Sequence, residues 1–324
     1  MLKTGFGQLN GGMMKPLYLK AHEKGLLKKK TDQARTVARD CTLCPRKCRV
    51  NRIESETGFC NTGRRAQVAS YNLHFGEEAP LVGQGGSGTV FFAHCNLCCA
   101  FCQNYDISHN RIRHQEFGPD RLAGIFLELQ ASGAENINLV SPSHVVFQIL
   151  EGLLIAAEKG LNIPLVYNTG SYDQLETLAI LDGVVDIYLA DSKFFGNKEA
   201  ERYARAPDYP EKARKAILEM HRQVGSLVID QQGRAIKGLM IRHLVMPGDL
   251  SGSEKWLDFF AVSLPGDTYI NIMDQYRPAG DAFRYPELRA RVPGSKVAGL
   301  KKKARSLGLN RLDERSSGMF RLMF

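Results

Sequence analysis

From residue 89 onward, short apolar runs alternate with longer amphipathic segments in this chain of 324 residues. The apolar runs are rich in β-branched and aromatic residues, which favours β-strands. The amphipathic segments repeat their apolar residues at the spacing of an α-helix. The pattern predicts six strands, at 89–93, 136–140, 165–168, 184–190, 239–245 and 269–273.

Helices are predicted between successive strands, and the first begins at Pro119, since proline fits the first helical turn. This alternation predicts parallel strands joined by right-handed crossovers. Six such units form either an open doubly wound sheet or a partial barrel, and both bind ligands at the carboxyl ends of their strands. The other predicted helices are at 145–158, 173–181, 211–224, 254–262 and, as a basic helix, around 297–307.

Composition divides the chain into four regions. Residues 1–35 are polar and basic and are expected to be a loose extension, and residues 36–68 form a cysteine-rich metal-binding module. Residues 69–290 are the predicted α/β core, which begins with a connector at 69–86 whose end is rich in glycine. Residues 291–324 form a basic C-terminal segment.

All eight cysteines lie between positions 41 and 102, in two groups of four. Structural thiols would be scattered over the core, and a reducing compartment disfavours disulfides, so this clustering favours metal binding. The two groups are Cys41, Cys44, Cys48 and Cys60, and Cys95, Cys98, Cys99 and Cys102.

The second group has the spacing Cys95-x3-Cys99-x2-Cys102 and directly follows the first predicted strand. Three thiolates leave one iron of a [4Fe–4S] cluster without a protein ligand, as a catalytic metal site requires. Such an iron can chelate the amino and carboxylate groups of S-adenosylmethionine (SAM). The alternatives are a zinc loop or a four-thiolate cluster that also uses Cys98, although adjacent cysteines rarely ligate one cluster together.

The stretch GSGTVFFAHCNLCCAFCQNYDIS at 86–108 resembles the signature of the radical SAM superfamily, in particular of uncharacterised proteins related to pyruvate formate-lyase-activating enzyme. The resemblance spans roughly residues 38–280. It implies an α/β fold, a partial (β/α)6 TIM-like barrel of parallel strands with a small N-terminal cysteine-rich module. It also implies that Cys95, Cys99 and Cys102 are the catalytic ligands of a [4Fe–4S] cluster.

The resemblance implies a radical SAM oxidoreductase. Such enzymes reductively cleave SAM to a 5′-deoxyadenosyl radical, which abstracts hydrogen from a substrate, here an unknown protein or small molecule. A narrower version of this function is activation of a glycyl-radical enzyme, but fold and motif do not determine the substrate. A reductant such as flavodoxin or ferredoxin is a further expected partner.

Four residues are implied to bind SAM by their similarity to motifs of activating enzymes. Phe101 is at the aromatic position before the last cysteine, Asn168-Thr169-Gly170 resembles an Asp-Thr-Asn-Gly turn, and Asp191-Ser192-Lys193 resembles an Asp-x-Lys motif. Lys193 can pair with the SAM carboxylate, and Asp191 can hold the ribose or a cation. The alternatives are a packing role for Phe101 and a structural ion pair between Asp191 and Lys193.

Polar residues at the ends of the fifth and sixth strands are candidates for substrate binding. Alternatively, the histidine among them is a hydrogen-bonded core residue and the others form a surface turn. Many radical SAM enzymes have Gly-Gly-Glu after the second strand, where this chain has Ser141-Pro142-Ser143-His144, so Ser141 and Ser143 are candidates for the SAM amino group. The substrate candidates are Arg242, His243, Gln275 and Tyr276.

The first cysteine group places four thiolates within twenty residues. Such a short segment cannot bury a core of its own, so a bound metal would supply its folding energy. Tetrahedral zinc and a second iron–sulfur cluster both fit the spacing, and a module without metal is the remaining alternative. The predicted ligands are Cys41, Cys44, Cys48 and Cys60.

The formal net charge of +9 raises the question of a nucleic-acid partner. The basic residues are dispersed, however, and the dense runs at 28–30 and 301–303 are near the ends of the sequence, which favours solvated surfaces. No apolar stretch approaches the length of a membrane span, and no secretory signal is evident, so a cytoplasmic protein is expected. The alternative function is a non-catalytic iron–sulfur or zinc protein that binds nucleic acid or a protein partner.

Overall fold

The computed structural model describes residues 14–109 and 114–314, which form a mixed α/β fold around a mostly parallel sheet. The strands are β1 (Ala66–His74), β2 (Ser87–Phe92), β3 (Gln115–Phe117), β4 (Ile137–Val140), β5 (Leu165–Thr169), β6 (Ile187–Ser192), β7 (Val228–Ile229), β8 (Ala235–Leu244) and β9 (Tyr269–Met273).

Eleven α-helices are present in the described residues. They are α1 (Leu17–Glu23), α2 (Leu26–Arg39), α3 (Ala79–Val82), α4 (Tyr105–Ser108), α5 (Pro119–Ala131), α6 (Val146–Glu158), α7 (Leu175–Leu181), α8 (Asn197–Ala204), α9 (Tyr209–Val224), α10 (Ser253–Ser263) and α11 (Gly294–Ser306).

Six strands run parallel in the order β2-β4-β5-β6-β8-β9, with a helix in each connection. These are the six strands that the sequence predicts, and the partial (β/α)6 barrel is confirmed. Between the described residues of β9 and β2 no strand pairing closes the barrel. The antiparallel strands β1 and β3 extend the sheet beyond β2, and β7 pairs antiparallel with β8.

The inner face of the sheet is apolar toward the amino ends of its strands and polar toward their carboxyl ends. Toward their amino ends, Val166, Met240 and Tyr269 pack against Leu81 of α3, so this short helix fills the barrel there. Toward the carboxyl ends, the same face carries Asp191, paired in register with Arg242. Apolar filling at one end and polar side chains at the other leave space for a ligand only at the carboxyl ends, as in other barrels.

The expectation of a loose N-terminal extension is wrong for residues 14–35. Helices α1 and α2 pack against α6, and the side chains of Tyr18, Leu27 and Ala34 are buried. Glu151 of α6, itself 4% exposed, accepts hydrogen bonds from Arg35 of α2. The first thirteen residues of the predicted extension lie outside the described residues.

The predicted connector at 69–86 also differs from the structure. Its first half belongs to β1, which pairs with β2 along most of its length and shields that edge of the barrel. Helix α11 matches the predicted basic C-terminal helix, and residues 315–324 lie outside the described residues. In the described residues no helix combines the length and the apolar character that a membrane span needs.

Adjacent leucines test the packing of α2. Leu27 is fully buried, whereas Leu26 is 41% exposed. We expect Leu27→Ala to lower the free energy of unfolding by about 2–5 kcal/mol, because it leaves a cavity in the core. Leu26→Ala should change it by less than about 0.5 kcal/mol. Urea unfolding of both variants checks this, and a small effect of Leu27→Ala would show that α2 does not share the core.

Candidate functional site

The loop after β2 carries Cys95, Cys99 and Cys102 and is held by backbone hydrogen bonds. The chain leaves β2 through His94, which has a φ of 65°. The amides of Cys98 and Ala100 then donate to the last carbonyls of α8, at 3.2 and 2.7 Å. These bonds fix the loop against the carboxyl ends of the parallel strands.

A cavity of about 990 Å³ opens at these strand ends. Cys98 is not among its lining residues and lies instead beside the charges of Arg46 and Arg205. The structure therefore brings together three of the four thiols, as the spacing predicts. All seven predicted cluster and SAM residues line the cavity: Cys95, Cys99, Cys102, Phe101, Thr169, Asp191 and Lys193.

The thiol set suits a metal cluster with an open position. Three cysteines line the cavity, and no other cysteine of the described residues does. Burial raises the pKa of Cys95 to about 12 and also raises that of Cys99. These two thiols therefore stay protonated at neutral pH unless a metal displaces the proton.

Asp191 lies in the cavity wall between two cations. Its carboxylate accepts from Lys193 Nζ at 2.8 Å and from Arg242 Nε at 2.7 Å. Burial works to raise the pKa of Asp191, but the two cations outweigh it and hold this pKa below its ordinary value. The ion pair considered as an alternative is therefore present, and both of its members still line the cavity.

Thr169 lines the cavity, but its hydroxyl is used inside the protein. It donates to Asp173 at 2.5 Å and lies 3.1 Å from the hydroxyl of Ser143. Ser143 is itself 3% exposed. Thr169 and Ser143 thus stabilise the turn after β5, whereas Ser141, which also lines the cavity, has its side chain less buried.

Aromatic side chains form the wall next to the cysteine loop. Phe101 is 4% exposed and meets Phe194 edge-on, with ring centroids 5.6 Å apart. Tyr276 also neighbours Phe101, with ring centroids 6.3 Å apart, and donates its hydroxyl to the carbonyl of Leu288. This wall can exclude water and accept a flat ring, and Gln275 beyond it lines the cavity at an exposed position.

The substrate-binding prediction is wrong for His243. Its side chain is fully buried, its Nε2 lies 2.9 Å from the hydroxyl of Ser253, and its Nδ1 lies 2.9 Å from the carbonyl of Ser192. Burial lowers the pKa of His243 to about 4, so the ring is neutral at physiological pH. It is the hydrogen-bonded core histidine of the alternative interpretation, while neighbouring Arg242 does line the cavity.

An acidic pair below the cavity was missed by the sequence analysis. Arg242 Nη1 lies 3.3 Å from the carboxylate of Glu77, and Asn271 of β9 donates to Glu78 at 2.9 Å. Burial raises the pKa of Glu77 to about 7. The two glutamates directly precede α3, in the segment expected to be a connector, and no motif or periodicity marks them.

The first cysteine group encloses a second, small cavity of about 10 Å³, which is also lined by Arg52 and His144. Burial raises the pKa of Cys41, and the neighbouring guanidinium of Arg52 opposes this effect. In residues 14–109 and 114–314, no three His, Cys, Asp or Glu side chains have the spacing of ligands to one metal ion. The four lining cysteines are Cys41, Cys44, Cys48 and Cys60.

Comparison with solved structures gives distant likenesses only. SuiB of Streptococcus suis, bound to the precursor peptide SuiA, matches 66% of this chain and 43% of its own, with a TM-score of 0.44 and 14% identity. HydG, a maturase of the [FeFe]-hydrogenase, matches 90% and 56%, with a TM-score of 0.43 and 10% identity. The cobalamin-dependent SAM radical enzyme OxsB matches 66% and 30%, with a TM-score of 0.35 and 14% identity. The chain thus spans less than half the length of SuiB, and similarity at this level carries no functional argument.

No family model matches the sequence. The uncharacterised protein MJ0674 of Methanocaldococcus jannaschii is 34% identical over 276 residues, which cover 82% of this chain and 75% of that protein. At this identity and coverage, the chain belongs to the same protein family as MJ0674.

Proposed function

We propose that this chain is a radical SAM enzyme that binds a [4Fe–4S] cluster through Cys95, Cys99 and Cys102. The observation that carries the proposal is that these three cysteines line a cavity of about 990 Å³, whereas adjacent Cys98 does not. A cluster held by three thiolates keeps one iron open to the cavity. When bound, it supplies the electron that cleaves SAM to a 5′-deoxyadenosyl radical.

The residues around the thiols suit the chemical groups of SAM. Lys193 is half-buried, presents its ammonium to the cavity and can pair with the SAM carboxylate. Asp191 keeps that ammonium in place and, through Arg242, is itself fixed to β8. Phe101 offers an aromatic edge to the adenine.

The cavity is large enough to admit a second molecule beside SAM. Its volume is at the upper end of the roughly 300–1,000 Å³ that a ligand pocket occupies. Arg277 and Arg291 line it on the side of the turn after β9. The hydrogen donor would enter from that side, while the aromatic wall keeps water from the reacting atoms.

SAM cleavage tests the ligand assignment. The protein is reconstituted anaerobically with iron and sulfide, reduced with dithionite and mixed with SAM, and 5′-deoxyadenosine is measured by mass spectrometry. We expect Cys99→Ala to lower its formation by at least about 100-fold, because the cluster loses a ligand. Cys98→Ala is the matched control and should retain cleavage, since this thiol does not line the cavity. No product from cluster-loaded wild-type protein would favour the non-catalytic binding module.

SAM affinity tests the cavity wall. Lys193→Met should weaken SAM binding by about 10-fold or more, because the cation in the cavity wall no longer faces the SAM carboxylate. Asp191 keeps Arg242 as a partner, so the variant should still fold and bind the same amount of iron. Lys198→Met on the exposed face of α8 serves as the control. Equilibrium dialysis against labelled SAM measures both, and an unchanged dissociation constant for Lys193→Met would remove Lys193 from the site.

A further inference from the structure

The N-terminal cysteine module, residues 36–68, contains a buried cation without an acidic partner. Arg52 is 1% exposed, and in the described part of the chain no carboxylate lies within ion-pair distance of it. Two of its nitrogens donate to the carbonyls of His144 and Gly63. Its Nε is buried and has no hydrogen-bond partner. Removing a guanidinium from water in this way is costly unless a negative charge lies close by.

The surroundings of Arg52 indicate where that negative charge belongs. The guanidinium lines the same small cavity as the four thiols of the module. Four thiolates around a divalent metal, or around a doubly charged iron–sulfur cluster, carry a net charge of about −2. Arg52 offsets part of this charge, and the metal centre in turn offsets the cost of burying Arg52.

We propose that the N-terminal cysteine module binds a metal centre through its four thiolates and that Arg52 is the buried counter-cation of this centre. Arg46 connects the module to the catalytic loop, which is the loop after β2 that carries Cys95, Cys99 and Cys102. The thiols face one cavity but are not spaced as ligands of a single ion. The cavity of about 10 Å³ has room for about one water-sized sphere. Zinc would therefore draw the thiols inward, whereas an iron–sulfur cluster would require them to move apart. The shared chemistry is tetrathiolate coordination.

Arg46 provides the physical connection. It follows Cys44 by two residues and donates from Nε to the carbonyl of Asn96 at 2.9 Å. Its Nη1 donates to the carbonyl of Arg205 at 2.6 Å, and its guanidinium stacks on Phe59, 3.9 Å from the ring centroid. Asn96 is the neighbour of Cys95. Arg46 is thus a positioning residue, and a metal that fixes the turn around Cys44 also fixes the backbone beside Cys95.

Metal analysis tests the centre independently of SAM chemistry. The full-length variant Cys95→Ala, Cys99→Ala, Cys102→Ala lacks the proposed catalytic cluster, so its remaining metal belongs to the module. We expect about one zinc, or about four irons with sulfide, per chain by elemental analysis. Either result supports the proposal and identifies the metal. A variant that is folded by circular dichroism but free of metal would overturn it.

A second comparison covers the case in which that triple variant does not fold. In the wild-type background, Cys44→Ser should remove the metal of the module, whereas Cys98→Ser should leave the metal content unchanged. Equal metal content in both single variants would contradict the proposal. Cleavage of SAM by wild-type protein tests the proposed function separately, so the two can fail independently.

Release of the metal to a chromophoric chelator tests Arg52. Arg52→Met should release the metal at least about 10-fold faster than wild-type protein, because the thiolate charge is no longer balanced. Arg52→Lys restores the positive charge and should recover most of the slow release, which a purely steric role would not predict. Equal rates for the Met and Lys variants would rule out the counter-cation role.

Hydrogen exchange of the catalytic loop tests whether Arg46 holds this loop in place. The catalytic importance of that contact rests on the proposed function. Amides of residues 96–102 should exchange at least about fivefold faster in Arg46→Ala, since the hydrogen bond to Asn96 is lost. Arg49→Ala is the control, because Arg49 is exposed and pairs with Asp40. Unchanged exchange in Arg46→Ala would show that the module does not hold the loop.

Discussion

The carboxylate of Asp191 is the constraint on which the cavity depends. Its side chain is only 18% exposed and has little access to water, so it is neutralised within the protein, by one cation from its own strand end and by one from β8. Arg242 also donates to Asn168 of β5, at 2.7 Å, and therefore ties three adjacent strands together at their carboxyl ends. Because these polar groups satisfy each other, the strand ends can surround a polar cavity instead of collapsing on an apolar core. The cysteine loop then needs only to be held against this rim.

The parallel core could be predicted because its signal is local. Strands such as β4 and β5 are short, mostly apolar and followed by amphipathic helices, so the local pattern of the sequence identifies them. Helix α2 has a comparable local pattern, which the prediction of a loose extension overlooked. Its buried residues repeat at helical spacing among many basic residues, and they are Leu27, Thr31, Ala34 and Ala38. Strand β1 was missed because one of its faces is covered only partly, and its sequence mixes polar and apolar residues. Its pairing with β2 depends on tertiary contacts, which a short segment of sequence does not reveal.

The candidate site also has features that the sequence predicts and features that it does not. Cysteine spacing and strand-end motifs led to seven residues that line the cavity, because both are properties of the linear sequence. The environment of each residue could not be predicted. His243 and Arg242 are neighbours in sequence, yet alternation along β8 directs one into the core and the other into the cavity. Glu77 and Glu78 reach Arg242 and Asn271 across more than 160 residues of sequence, so only the folded chain brings them together.

Helix α3 has a kinetic consequence for any ligand of this cavity. Leu81 and its apolar neighbours fill the barrel at the amino ends of its strands. In the described structure a ligand therefore enters and leaves the cavity at the carboxyl ends of the strands. A molecule that sits deepest must arrive first and leave last. Two ligands that use the same opening would therefore bind in a fixed order. The outer ligand would keep the inner ligand in the cavity until the outer ligand dissociates.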